Sequence, residues 1–413
     1  MAAYDIVCVA FPAWEGNYVK STVKLMEELA KRHRILYVDY QYTWKDTLMG
    51  LLKSTPVPVS RMLGVSSRLR EIQVGDATVH VLTPPPVLPV NFLKSTKLYD
   101  TIQRLNAGIV QRAIRKAYST LNVTNPVVIN AFNPAMGVPL TGKLNERSLI
   151  YYCYDEISAC AWAKDHGARS EVQFSELVDA IVVSSEGLLK TKQRYGKPAF
   201  IVNNGVDFNE FQKGYIPIAD KPTSNVLGYV GSIDSRLDYN LLIKLAQKLQ
   251  DQKLLMVGRI VYDKPHVESA IQVLSTLPNV LFTGAKAPRE LPHMLAQFNI
   301  GLIPFVKNEQ TEAIYPMKIN EYLAAGLPVV STDFAPLTAF KEVVAVTATG
   351  EDFIAAVQEA LQNKSEKDEQ KRIELARQHS WQERANELEA IIDKVVHTQI
   401  GRQKPALSSA GQL

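Results

Sequence analysis

The chain is poor in cysteine and has no long apolar run. Cys8, Cys153 and Cys160 are an odd number, at spacings that fit neither a disulfide framework nor a zinc site. They read as small buried hydrophobes of a reducing compartment. The apolar stretch from Ile6 to Phe11 is too short for a signal peptide or a membrane span, and no basic segment precedes it. The expectation is therefore a cytoplasmic protein. HExxH, paired CxxC, GxSxG and GxxxxGK[ST] are all missing, so zinc hydrolysis, serine-hydrolase chemistry and P-loop ATPase work lose their usual markers. Asp-x-Asp is missing too. That carboxylate pair commonly holds the divalent cation under a sugar diphosphate, so Arg, Lys and a helix N-terminus are left to meet any such ligand.

What is present suits an ordinary soluble globular protein, with 46% hydrophobic and 21% charged residues. A length of 413 residues is comfortable for two domains, and a net charge of +4 is too small to demand nucleic acid. The stretch PMKINEYLAAGLPVVS, Pro316 to Ser331, organises the reading. Pro316 suits the first turn of a helix of about three turns, Gly326 and Pro328 suit its stop, and Val329 to Ser331 reads as a buried strand. Lys318 and Glu321 emerge on one face of the first turn. A helix N-terminus carrying Lys318 suits a dianion such as a pyrophosphate, and Glu321 one turn on can accept hydrogen bonds from a sugar hydroxyl. The plainer alternative is a solvated Lys–Glu pair on an amphipathic helix.

The chain opens as βαβ, with strands at Ile6–Ala10 and Arg34–Tyr40, and the loop carrying Trp14 and Glu15 lies at the carboxyl end of the first strand, where open α/β sheets bind ligands. Strands continue at Val127–Ala131, Leu149–Tyr154 and Ala180–Ser184. Asp155 and Glu156 follow the second of these at its carboxyl end. In IVNNGVD, Ile201 to Asp207, Gly205 is expected to supply a permissive turn. The polar stretch Asp220 to Asn225 marks the expected domain boundary. A second strand series follows at 226–233, 254–257, 280–283, 300–304 and 328–331, spaced for a parallel sheet with right-handed crossovers. Arg236 lies in the loop beyond Gly231, and Arg259 follows Gly258 in the next; Arg in such loops is a natural phosphate ligand, or is pinned to a surface carboxylate. Residues 45–116 break the alternation. They mix apolar pairs with eleven Lys or Arg against four Asp or Glu, which suits either contact with an anionic leaflet or a solvated basic face over a local core.

Together these residues resemble retaining GT-B glycosyltransferases, in the bacterial branch that is similar to teichuronic-acid and other surface-polysaccharide transferases. The matching pieces are Val182 to Ser185, Asn203-Asn204-Gly205-Val206-Asp207, Gly228 to Gly231 with Arg236-Leu237-Asp238, and Pro316-x-Lys318-x-x-Glu321 running on to Ser331. Trp381, in HSWQERANEL, is similar to the family's closing helix. The resemblance implies an α/β fold of GT-B type: two Rossmann-like domains facing across a cleft, with an acceptor-binding domain over residues 1–219 and a nucleotide-sugar-binding domain over 220–380. It further implies a helix over 381–400 returning to the first domain; residues 401–413 are expected to be a disordered tail. By the same resemblance Glu321 binds the donor ribose, Lys318 and Arg236 meet the diphosphate, and the Tyr315-Pro316-Met317 backbone caps it. Asn204, Gly205, Gly231 and Arg259 complete the expected donor site. Two departures stand out. Ala313 occupies the place of the first of two paired glutamates, with Glu312 one position off, and the first domain shows no counterpart of the family's histidine near the anomeric carbon, so Asp155 is its stand-in.

The expected function is transfer of a hexose, with retention, from a nucleotide diphosphate sugar to a saccharide or lipid-linked acceptor. No metal or other cofactor is expected. Leaflet contact through 45–116 would place the protein at the inner face of the plasma membrane. The competing readings are a GT-B sugar-nucleotide epimerase or hydrolase, and a non-catalytic nucleotide-sugar-binding subunit.

Overall fold

The computed structural model describes residues 3–16, 19–160, 163–217, 219–221, 225–363 and 365–402. The expected tail lies, from 403 on, outside the described residues. The chain divides into two compact units, residues 1–202 with 385–413, and residues 203–384. The division falls before the polar 220–225 stretch suggested by composition. Val206, Phe208 and Phe211 explain why: all three are buried in the core of the second unit.

The first unit runs β1 (Asp5–Ala10), α1 (Ser21–Leu29), β2 (Arg34–Val38), α2 (Trp44–Leu51), α3 (Val59–Leu63), β3 (Leu69–Val74), β4 (Ala77–Leu82) and α4 (Thr96–Leu121). It continues through β5 (Val127–Ala131), α5 (Pro134–Leu140), β6 (Ser148–Cys153), α6 (Gly167–Leu177), β7 (Ala180–Val183), α7 (Glu186–Lys192) and β8 (Ala199–Ile201). These strands form one eight-stranded sheet in the order β3-β4-β2-β1-β5-β6-β7-β8. All neighbours are parallel except β3 and β4, whose antiparallel pairing turns at Gly75 and Asp76. Continuous apolar runs such as β1 and β6 are buried on both faces, as a doubly wound sheet requires. The departure from alternation in 45–116 is thus two short helices and a hairpin.

The second unit runs α8 (Phe208–Gln212), β9 (Val226–Val230), α9 (Tyr239–Lys248), β10 (Lys253–Val257), α10 (Pro265–Thr276), β11 (Val280–Gly284), α11 (Leu291–Ala296) and β12 (Ile300–Ile303). It ends with α12 (Glu309–Glu312), α13 (Met317–Ala324), β13 (Val329–Thr332), β14 (Val344–Thr347), α14 (Gly350–Gln362) and α15 (Glu366–Gln378). Its six strands are all parallel, in the order β11-β10-β9-β12-β13-β14. The final helix, α16 (Trp381–Arg402), starts in this unit and from Ala385 on counts with the first. Strand order reverses between β1 and β5 in one unit and between β9 and β12 in the other. In open α/β sheets the crevice outside the carboxyl ends at such a reversal is where ligands bind. Among the described residues no helix is long and apolar enough to cross a membrane.

Candidate functional site

In the second unit the site is built where β9 and β12 part. Two strand glycines admit aromatic rings there. A Cβ on Gly228 would sit 2.1 Å from the Phe298 ring, and one on Gly301 would sit 2.3 Å from the ring of Tyr322. Tyr322 belongs to α13, and its hydroxyl accepts a hydrogen bond from Val230 N at 2.8 Å. The helix is thereby seated on the sheet beside the reversal. It is shorter than expected, spanning Met317–Ala324, because Pro316 is extended and stands before it as the N-cap. Gly326, in the left-handed region at φ 72°, ends it.

That seating delivers Lys318 across the backbone of Gly231. A Cβ there would lie 2.3 Å from Lys318 Cε, and φ of 138° independently favours glycine. The Lys318 ammonium lies 5.6 Å from the ring centre of Tyr229 and 5.5 Å from that of Phe305, a cation–π arrangement on two sides. Arg236 shares the Phe305 ring at 5.8 Å. It is also pinned to Asp234, through Nε to Oδ1 at 2.8 Å and Nη2 to Oδ2 at 2.6 Å. The structure shows Arg236 pinned to a carboxylate, the plainer of its two sequence readings, and the pairing aims the guanidinium at the same ring as Lys318. The backbone N–H groups of Met317 and Lys318 have no acceptor among the described residues, as the first turn of a helix leaves them.

Burial sets the charge of this cluster. Desolvation, reinforced by the Arg236 charge, lowers Lys318 to about 8 against the pull of Glu321 and Asp234. Desolvation raises Glu321 to about 7, against the pull of Lys318. Both side chains are half-buried, and neither has a hydrogen-bond partner among the described residues.

The residues ahead of α13 are held by a buried polar cluster. Asn320 Nδ2 donates to Tyr315 Oη at 3.0 Å and lies 3.4 Å from the Asn204 carbonyl, while His379 Nδ1 is 2.9 Å from Asn320 Oδ1. Burial lowers the His379 pKa to about 3, so its imidazole stays neutral and donates through Nδ1 to the amide oxygen. Tyr315 and Asn204 are thus tied to the helix that carries Lys318. The Asn204 side-chain oxygen is buried with no hydrogen-bond partner among the described residues. Gly205 has a different reason from the one expected. Its φ is not positive; rather, a Cβ there would come within 2.8 Å of the Trp381 backbone and ring. Arg259 is exposed, and its backbone carbonyl pairs with Ile233 N. Ala313 is buried at the place of the absent glutamate, with Glu312 exposed beside it.

In the first unit the two carboxylates after β6 separate. Asp155 is exposed, and its Oδ1 accepts from Glu156 N at 2.8 Å. Glu156 turns inward to Lys192, whose ammonium contacts both of its oxygens at 3.0 and 2.9 Å and Glu171 at 2.8 Å. Glu156 therefore anchors its loop. At the β1–β5 reversal a cavity of about 540 Å³ is lined by Phe11, Gln41, Asn133, Lys164 and His166. Asp155 is not among the residues lining it. Next to Asn133, Phe132 adopts φ of 56°, a strained conformation for an aromatic residue. Its neighbour Asn130 bonds Asn133 in both directions, at 2.9 and 3.0 Å, and holds that turn. His166 stacks on Tyr99 at 3.9 Å and bonds the Leu93 carbonyl at 2.6 Å. Sequence reasoning missed both the Phe132 turn and His166; Asn130 and Asn133 after a buried strand signal a turn, but not which residue of it becomes left-handed.

Residues 224–363 match the family model described as glycosyl transferases group 1. Over 273 residues the chain is 31% identical to TuaH of Bacillus subtilis (strain 168), a protein named for glycosyl transfer in teichuronic acid biosynthesis; the match covers 59% of this chain and 67% of that one. The chain belongs to the group 1 glycosyl transferases. Solved structures agree on the fold. Sucrose-phosphate synthase from Thermosynechococcus elongatus superposes with a TM-score of 0.69 at 13% identity, covering 96% of this chain and all of that one. The trehalose-6-phosphate protein of E. coli, bound with UDP-2-fluoro glucose, gives 0.65 at 8% identity over 95% and 99% of the two chains. Anabaena HepE, in complex with UDP and glucose, gives 0.61 at 12% identity over 95% and 100%. The two α/β sheets of this group 1 transferase, parallel but for the β3–β4 pair, are thus those of the GT-B fold expected from its motifs.

Proposed function

We propose that the protein transfers a hexose, with retention, from a nucleotide diphosphate sugar to a saccharide or lipid-linked acceptor. The observation that carries this reading is the convergence of Lys318 and Arg236 on Phe305, beside the free N–H groups that open α13. A diphosphate set there meets two cations and a helix N-terminus without a carboxylate-held metal. Bringing the dianion in raises Lys318 back toward full protonation, so the ammonium strengthens its grip as charge develops on the leaving oxygen. In this reading the half-buried Glu321 accepts from a ribose hydroxyl. The named relatives bound to UDP or a UDP sugar support a uridine donor.

In this mechanism the bond from C1 to the diphosphate oxygen breaks, and the bond from C1 to the acceptor oxygen forms on the same face of the sugar. The acceptor's proton passes to a departing phosphate oxygen, and no protein nucleophile is used. A lipid-linked acceptor would bring the enzyme to the inner leaflet, through the basic and apolar residues 45–116. The test is thermal unfolding with UDP, GDP, ADP and dTDP and their sugars, with and without EDTA. Saturation at a hundred times the dissociation constant adds about 2.7 kcal/mol, so one nucleotide diphosphate is expected to stabilise equally in EDTA. Stabilisation by none would defeat the donor-site assignment. Release of free sugar or an epimer with no acceptor present would instead favour hydrolysis or epimerisation.

A further inference from the structure

One face of the first unit, beside the β1–β5 cavity, has the pattern of a core surface turned outward. Trp44, Leu48, Leu51 and Leu52 recur at i, i+4, i+7 and i+8 along α2 and its C-cap, the spacing of a stripe that normally packs inward. They are 51%, 58%, 59% and 68% exposed. The residue α2 does bury is Thr47. After α3, Leu63 and Val65 extend the apolar surface. Lys45 and Lys53 flank the stripe, are exposed, and have no ion-pair partner among the described residues.

Trp44, Leu63 and Val65 also line an open groove of about 1250 Å³, whose other wall is α4. Ile109, Arg112 and Lys116 face it from that helix, and Arg68 enters from the loop before β3. Glu71 is its one carboxylate among the described residues. Arg61 and Arg70 are committed elsewhere, to Glu15 at 2.8 and 2.7 Å. Arg112 and Lys116, one helical turn apart, have no ion-pair partner among the described residues. A protein partner would need complementary acidic relief against this surface. A bilayer of anionic lipid supplies negative charge continuously, with an apolar layer directly beneath it.

We infer that this face docks on an anionic leaflet. The stripe of α2 enters the boundary between headgroups and acyl chains, and Lys45 and Lys53 rest on headgroup phosphates. The groove takes the chain of one lipid along Leu63 and Ile109, with its phosphate at Arg112 and Lys116. The inference rests on the proposed lipid-linked acceptor for its purpose, but binding needs no turnover.

The experiment is flotation of the full chain with vesicles of phosphatidylglycerol in phosphatidylcholine, against phosphatidylcholine alone, at low and high salt. Binding is expected on the anionic vesicles and to weaken with salt. At about fivefold per basic residue near the surface, Arg112→Glu with Lys116→Glu is expected to weaken it about thirtyfold or more. Leu48→Glu with Leu51→Glu should abolish it. Leu281→Glu, an equally exposed leucine of the second unit, should change nothing. Equal binding to both vesicle types, or undiminished binding by either double variant, would overturn the inference. So would a concentration-dependent dimer in sedimentation that Leu48→Glu with Leu51→Glu dissolves, for then the face covers a second copy. Nucleotide stabilisation measured on the same variants separates the two proposals: it should persist when vesicle binding is lost, and its absence from the wild type would defeat the donor site alone.

Discussion

Burial drives Lys318 and Glu321 toward each other's titration range, one down to about 8 and the other up to about 7. The free enzyme therefore loses the Lys318 charge as pH rises through about 8, and loses the Glu321 charge as pH falls through about 7. If the donor needs both charged, kcat/KM is expected to peak between these values and fall on either side. Lys318→Arg should move the alkaline limb upward, since a guanidinium does not titrate there. Lys318→Ala should lower kcat by about a hundredfold to a thousandfold, the range for removing one electrostatic contact to a developing oxyanion. A Lys318→Ala enzyme with full turnover, or an alkaline limb unmoved in Lys318→Arg, would sink the assignment. At this scale the sequence was informative where chemistry is local: Lys318 and Glu321 are three apart on one helix, and that spacing needs no tertiary knowledge. Phe132 was not legible, because an aromatic residue carries no sign that its backbone will be left-handed. The inward turn of Glu156 was not legible either, because its partner Lys192 comes from a distant helix.

At the scale of the element, α13 works because of what lies under it. Its Lys318 reaches Gly231 only if Tyr322 occupies the space that Gly301 leaves in β12. Gly301→Ala places a methyl 2.3 Å from the Tyr322 ring, a distance the core cannot accept without moving the helix. Overpacking of this kind costs about 1–3 kcal/mol. The expected result is a lowered unfolding midpoint together with a larger loss of nucleotide stabilisation than of fold, read by thermal unfolding with and without the diphosphate. If stability falls and nucleotide stabilisation is untouched, the helix is not positioned by this packing. The existence of α13 could be read from its periodicity and its Gly326 stop, but its length could not, because an extended Pro316 and a first-turn Pro316 look the same in sequence. The β3–β4 hairpin was missed for a related reason: its Gly75-Asp76 turn sits in a stretch whose charge drew the reading toward surface function.

For the whole molecule, the alternation of buried strands and helices made β1, β2, β5 to β7 and β9 to β13 legible in the sequence, since fully buried parallel strands read as continuous apolar runs. The assignment of the last helix is a matter of long-range contacts, which no local pattern encodes. Its residues from Ala385 on complete the core of the first unit. Leu388, Ile392 and Val396 are essentially fully buried. Glu389 accepts from Arg32 at 2.6 Å and sits 3.1 Å from His33, and Tyr4 donates to Asp393 at 2.6 Å. A chain ending at Arg384 would leave the first unit without these groups, and each lost apolar side chain is worth roughly 1.5–3 kcal/mol of burial. Its marginal stability cannot absorb three such losses together with a His33 Nε2 and a Tyr4 hydroxyl that have lost Glu389 and Asp393. The second unit keeps its full residue set, 203–384, with the Lys318 site intact. The truncated chain is therefore expected to unfold in two steps: an early one from the first unit, and a later one near the wild-type midpoint that nucleotide diphosphate still raises. A single transition, or loss of nucleotide stabilisation along with the helix, would show that the proposed donor site depends on the first unit's core.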